Sequence, residues 1–121
     1  MKRRLFIALA LAVLTRVGVA TEPISVREMA RIEHLCDAVA RSKGMYFVRN
    51  GKAYSPDEAA TFLREKLKAM GDEVRTAEEF IDKIATKSSM SGEPYIVRFA
   101  DGREMPSVEF LRAELARHRR R

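Results

Sequence analysis

The sequence predicts an α+β domain in which two β-hairpins share an antiparallel sheet and helices bury its apolar face. Three observations predict it. Helix-start residues recur four times, each ahead of apolar positions spaced three and four apart. Two strand-like runs are each folded back by a glycine turn, Asn50-Gly51 and Asp101-Gly102. The resulting order is αββα followed by αββα, and the residues echo it: YFVR at Tyr46 returns as YIVR at Tyr95, and FLREKL at Phe62 as FLRAEL at Phe110. The echo suggests an internal duplication. A lone hairpin is marginal in water, which favours one shared sheet covered by helices.

The chain opens with a basic MKRR and the apolar run Leu5 to Leu14, followed by Val17-Gly18-Val19-Ala20. This is the pattern of a secretory signal peptide over residues 1–20, with cleavage expected after Ala20. The rival reading, a membrane anchor, needs about 20 apolar residues, and Arg16 closes this run at half that length. A lipoprotein would carry Cys after the cut, where Thr21 stands. The expected location is periplasmic or secreted. Residues 21–121 then form a single α+β domain with a basic C-terminal tail and no transmembrane segment.

Within that domain Ser25 and Glu28 form a capping-box pair, and Ile24 and Met29 are placed as a hydrophobic staple. The first helix runs to about Ser42 and stops at Gly44. Met45 to Arg49 reads as a strand, Asn50-Gly51 as a tight turn and Lys52 to Tyr54 as the return. Ser55-Pro56-Asp57-Glu58 opens the second helix with a cap, a proline at the first helical position and another box. Ala59, Leu63, Leu67 and Met70 line one of its faces, and Gly71 ends it. Thr76 opens a third helix with Phe80, Ile81 and Ile84 inward. Tyr95 to Phe99 and Arg103 to Met105 form the second hairpin, and Ser107 caps the last helix.

Charge excludes less than it first suggests. The whole chain carries +6 and a pI near 9.8. Four of its 23 Lys and Arg lie in the leader, so 19 stand against 17 Asp and Glu afterwards, and four of those 19 sit in the closing RHRRR. The body is slightly acidic, which argues against a nucleic-acid partner. The tail reads as a solvated helix end favoured by the helix dipole, or as a contact for an anionic surface. The lone Cys36 falls on the apolar stripe of the first helix and reads as a small buried hydrophobe; an intermolecular disulfide is the alternative.

The motifs of common catalytic sites are missing. There is no phosphate loop, no Gly-x-Ser-x-Gly elbow and no Trp for sugar stacking. His34 with Glu33 and Asp37 makes only a weak metal corner, better read as a solvated face. No catalytic residue, metal site or cofactor is assigned. The informative stretch is TKSSMSGEPYIVR, Thr86 to Arg98. IEHLCDAVA at Ile32 is matched by AEEFIDKIA at Ala77; from Asp37 to Tyr46 is 9 positions, whereas the matching Asp82 to Tyr95 takes 13. The four extra residues are polar and turn-forming. They read as a display loop or as a connector whose hydroxyls satisfy nearby backbone. The candidate partner-binding residues are Ser88, Ser89, Ser91, Gly92 and Tyr95, with Arg49, Arg75 and Arg98 as anion clamps.

The leader, YFVRNGKAYSPDEAATFLREKLKAM, RTAEEFIDKIATKSSMSGEPYIVRFADGREMPS and the terminal FLRAELARHR together resemble the YfeK-like family of small bacterial exported proteins. That family is a domain of unknown function, so the resemblance implies a bacterial exported protein and transfers no catalytic residue. The leading functional reading is a non-enzymatic module for an envelope protein or an anionic envelope component. The alternatives are a hydrolase or transferase acting through a loop serine, and a structural or stress-related protein with no discrete site.

Overall fold

The structure, a computed structural model, describes residues 23–119. The leader and the cut after Ala20 lie outside the described residues. Helix α1 (Val26–Ala40) is followed by strands β1 (Tyr46–Arg49) and β2 (Lys52–Tyr54), then α2 (Pro56–Met70) and a 3-10 turn (Gly71–Glu73). Helix α3 (Ala77–Lys83), strands β3 (Ile96–Arg98) and β4 (Glu104–Pro106) and helix α4 (Ser107–Arg119) complete the domain. The expected αββα order is therefore present twice. The strands form one antiparallel sheet in the order β2-β1-β3-β4.

Local chemistry sets most boundaries. At α2 the box is complete: Ser55 Oγ accepts from Glu58 N at 3.2 Å and Glu58 Oε1 accepts from Ser55 N at 2.9 Å. At α1 only half of the expected box forms. Ser25 Oγ accepts from Glu28 N, but the Glu28 carboxylate turns away to accept from Ala77 N at 2.8 Å and from Arg31. It thus caps α3 from a different helix. Ile24 packs against the core while Met29 stays 37% exposed, so the expected staple gives way to a one-sided contact. The Asn50-Gly51 turn has φ of 51° and 79°, the left-handed pair that a two-residue hairpin requires. Helix α4 starts at Ser107 itself, whose amide donates to Tyr95 O, rather than one residue after a Ser107 cap.

Pairing across the sheet centre corrects the sequence echo. Phe47 lies opposite Val97 and Val48 opposite Ile96. Paired residues share a face and neighbours alternate, so Phe47, Arg49, Tyr95 and Val97 face the helices while Tyr46, Val48, Ile96 and Arg98 face outward. Burial agrees: Phe47 and Tyr95 are each 7% exposed and Val97 0%, whereas Tyr46 is 52% exposed. The like residues of YFVR and YIVR therefore stand on opposite faces. Phe47 pairs with Val97, one position off its match by letters, and a one-residue slip inverts every side chain.

The core lies between sheet and helices. α1 is its centre and packs on α2, α3 and α4. Its Ile32, Leu35, Cys36 and Val39 are fully buried, with Leu63 and Leu67 of α2, Phe80 and Ile81 of α3 and Leu111 of α4 around them. Burial pushes the Cys36 thiol pKa up to about 12, so it is an inert packing group out of reach of a second chain. Among the described residues, no helix is long and apolar enough to cross a membrane.

Candidate functional site

The connection from α3 to β3 is built as a small hairpin of its own. Lys87 and Pro94 form an isolated bridge, Tyr95 N donates to Thr86 O at 3.0 Å and Ser88 N to Glu93 O at 2.9 Å. At its tip Gly92 N donates to Ser88 O at 2.9 Å, with Gly92 at φ 77°. The serines close this turn. Ser88, 6% exposed, accepts on its hydroxyl from Ser91 N at 3.3 Å and from the Asn50 side-chain amide at 3.4 Å. Ser91 Oγ donates to Asn50 Oδ1 and accepts from Glu93 N. The first hairpin turn and this loop are thus joined through Asn50, whose left-handed backbone places its amide there.

The loop walls a cleft of about 370 Å3 against the C-terminal half of α2 and the end of β1. Phe62, Lys66 and Met70 of α2 form one side, Ser88, Ser89 and Met90 the other, with Arg49 and Asn50 at the end. Lys66 Nζ donates to Lys87 O and to Tyr95 Oη, both at 2.9 Å, and so ties α2 to the base of the loop. The Arg49 guanidinium lies 4.2 Å from the centre of the Phe62 ring and donates to Tyr54 Oη at 3.2 Å. Burial, and then the Arg49 charge, push the Lys66 ammonium below the ordinary lysine pKa. Burial pushes the Tyr95 phenol up, partly offset by Arg49.

These two cations differ from six arginines elsewhere among the described residues. Arg31, Arg64, Arg98, Arg103, Arg112 and Arg117 each pair with a carboxylate within 3.5 Å. Among the described residues no carboxylate reaches ion-pair distance of Arg49 or Lys66, although Glu65 lines the same cleft. Two positive charges share a half-buried space and repel one another there.

Of the residues singled out in the sequence, the cleft gathers Arg49, Ser88, Ser89 and Tyr95. Ser91 and Gly92 shape the turn behind it. Arg75 and Arg98 stand elsewhere. The Arg75 guanidinium donates to Asp72 O and Val74 O, and Arg98 pairs with Glu104 at 2.9 Å on the outward face of the sheet. Asn50, Phe62, Lys66, Met70 and Met90 were not singled out. Phe62, Lys66 and Met70 are spaced four apart on α2, so a lysine inside an apolar stripe was the available signal.

The histidines lie in another place. His34 is not on a solvated face: its side chain is 16% exposed, its Nε2 is 3.1 Å from Glu114 Oε2, and its ring stacks on His118 with centroids 3.9 Å apart. His34 is bonded to Glu114 and not to a loop serine; the Ser88 and Ser91 hydroxyls are engaged with Asn50 and the turn backbone, and that of Ser89 with the Met70 sulfur. Among the described residues, no group of three or more His, Cys, Asp or Glu is arranged to hold a metal ion.

Comparison with known proteins gives a consistent picture. The family of unknown function DUF5329 matches residues 26–119. An uncharacterized protein YfeK of Salmonella typhimurium is 44% identical over 72 residues, which is 60% of this chain and 60% of that protein. The match thus spans less than two thirds of that relative's length. No solved structure matches.

Proposed function

We start from a chain that belongs to the DUF5329 family of unknown function, and we propose that it is an exported bacterial binding module that holds an acidic group of an envelope partner in the cleft between α2 and the 86–94 loop. One observation carries this reading: Arg49 and Lys66 converge on one half-buried cleft, and neither has a carboxylate within ion-pair distance there, the Glu65 of the same cleft included. Placing two like charges together is unfavourable unless an anion joins them. An acidic group seated there would accept from both cations and from the Asn50 amide, forming charge-assisted hydrogen bonds stronger than neutral ones. The leader over residues 1–20 supports export, and the Salmonella relative supports a bacterial cell. A loop serine acting as nucleophile has less support. Ser88 Oγ accepts from two donors and has no base bonded to it.

Two measurements test the proposal. Acetate and inorganic phosphate, titrated at constant ionic strength, should give saturable amide shifts confined to Asn50, Lys66, Ser89 and Met90. The shifts should vanish in the Arg49→Met, Lys66→Met double variant. Shifts spread evenly over the surface would overturn the anion site. Protein recovered from the periplasm should have an intact mass that begins at Thr21; a mass retaining Met1 to Ala20 would overturn export with cleavage.

A further inference from the structure

We infer, resting on that anion-binding reading, that the ligand is an amphiphilic anion: an acidic head held by Lys66, Arg49 and Asn50, carrying a single alkyl chain that enters a second cavity behind Arg49. This second cavity, about 40 Å3, opens on the other side of Arg49, Phe62 and Tyr95, which line both spaces. Its further walls include Phe47, Tyr54, Ala59 and Leu63. An apolar space of this kind stays dry, because a water there finds few polar partners.

Arg49 separates the two spaces. Its guanidinium lies over the Phe62 ring at 4.2 Å and beside the Tyr54 ring at 5.3 Å. One hydrogen bond, to Tyr54 Oη at 3.2 Å, and no carboxylate hold it there. An anion beside Lys66 competes for that guanidinium and draws it away from the two rings. The ring faces that it covered then become apolar surface that a chain attached to the anion can fill. Head and tail recognition are thereby coupled through one side chain.

The dimensions favour alkyl over aryl. A cavity able to take benzene is about 150 Å3, and this one admits the end of a straight chain. The rim agrees: Met70 lines the cleft and Met90, at the loop tip, is 98% exposed. Methionine adapts its unbranched side chain to flexible apolar partners. The probe is therefore a short straight-chain carboxylate.

Calorimetry and amide-shift titration with octanoate, kept below its micelle concentration, test this against acetate (head alone) and 1-octanol (chain alone). Octanoate should bind at least about tenfold more tightly than either, the gain expected from burying about two methylene groups. The Arg49→Met, Lys66→Met double variant should bring octanoate down to the level of octanol. Leu63→Phe, which fills the cavity, should bring it down to the level of acetate and leave acetate unchanged. Because Leu63 is core, the wild-type protein supplies a second readout: nuclear Overhauser contacts from the octanoate methyl to Phe47 and Leu63. Acetate binding as tightly as octanoate, with no such contacts, overturns the amphiphile and leaves the anion site standing. Octanol binding as tightly as octanoate overturns head recognition. No cleft response to any anion overturns both readings. Co-sedimentation with phosphatidylglycerol vesicles, without binding of free octanoate, replaces the single-chain ligand with a membrane surface and overturns the inference.

Discussion

Glu28 joins two helices through one carboxylate. Its Oε1 accepts from Ala77 N, the first residue of α3, and both its oxygens accept from Arg31, which also reaches Glu78. The Ala77 amide, with Arg31 behind it and against some burial, holds the Glu28 carboxyl below its usual pKa. The folded protein therefore prefers the ionised form. Its contribution to stability is present above pH 4.5 and is lost as pH falls through the lower folded value. Glu28→Ala should cost about 1.5–3 kcal/mol, the range for hydrogen bonds to a charged group. It should also flatten the acid limb of a urea-stability profile below that pH; an unchanged limb would show that the contact is idle. Lys66 gives a prediction of opposite sign. Its pKa lies below the ordinary lysine value of 10.5, so anion binding needs a proton that is lost early. Affinity for acetate or octanoate should fall as pH rises through that lowered value. Lys66→Arg should remove the fall, because a guanidinium stays charged. An affinity flat up to pH 10.5 in the native protein would remove Lys66 from the site.

The loop between α3 and β3 is an element, with its own bridge, turn and hydroxyl contacts, where the sequence read as either display or connection. The chain between helix and strand is 41–45 in the first half and 84–95 in the second, and the added length is folded. Its serines divide by role. Ser88 is buried and accepts two hydrogen bonds, so Ser88→Ala leaves the Ser91 amide and the Asn50 side chain short of an acceptor and should cost about 1–2 kcal/mol. Ser89 reaches only the Met70 sulfur at 3.8 Å, so Ser89→Ala should change stability by less than about 0.5 kcal/mol. Equal melting temperatures for the two variants would mean that the loop is held by its backbone alone. The turn glycines Gly51 and Gly92, in contrast, should behave alike. Gly51 and Gly92 have φ of 79° and 77°, and an added Cβ at either meets nothing within 4 Å. The left-handed backbone is then the whole penalty, about 1–2 kcal/mol for Gly→Ala at each. A clear difference in their melts would show that one turn relaxes.

At the scale of the molecule, what the sequence made legible follows the range of the interactions. Ser55-Pro56 with Glu58 and the Asn50-Gly51 turn are written within a few residues, and each stands where its chemistry placed it. The β1–β3 register, the His34–Glu114 contact across 80 positions and the Lys66–Tyr95 bond depend on partners from distant segments, which no local pattern reports. The same non-local contacts bear on whether either αββα half is a folding unit. The central strand pair, β1 with β3, crosses between the halves, and α1 of the first half packs on α3 and α4 of the second. Residues 23–75 alone would keep, of the sheet, only the β1–β2 hairpin and would lose α3 and α4 from beside α1, whose Ile32, Leu35 and Val39 are fully buried. Exposing a large aliphatic side chain costs about 1.5–3 kcal/mol. Three of them approach or exceed the lower end of the 5–15 kcal/mol that holds an average domain together. A peptide of residues 23–75 should therefore show collapsed amide dispersion and no cooperative melt. Mixing it with residues 76–119 should restore the dispersed spectrum, because the missing strand and helices arrive together. A cooperative melt of residues 23–75 alone would mean that the halves are autonomous, and that the contacts of α1 with α3 and α4 add stability to a unit already folded.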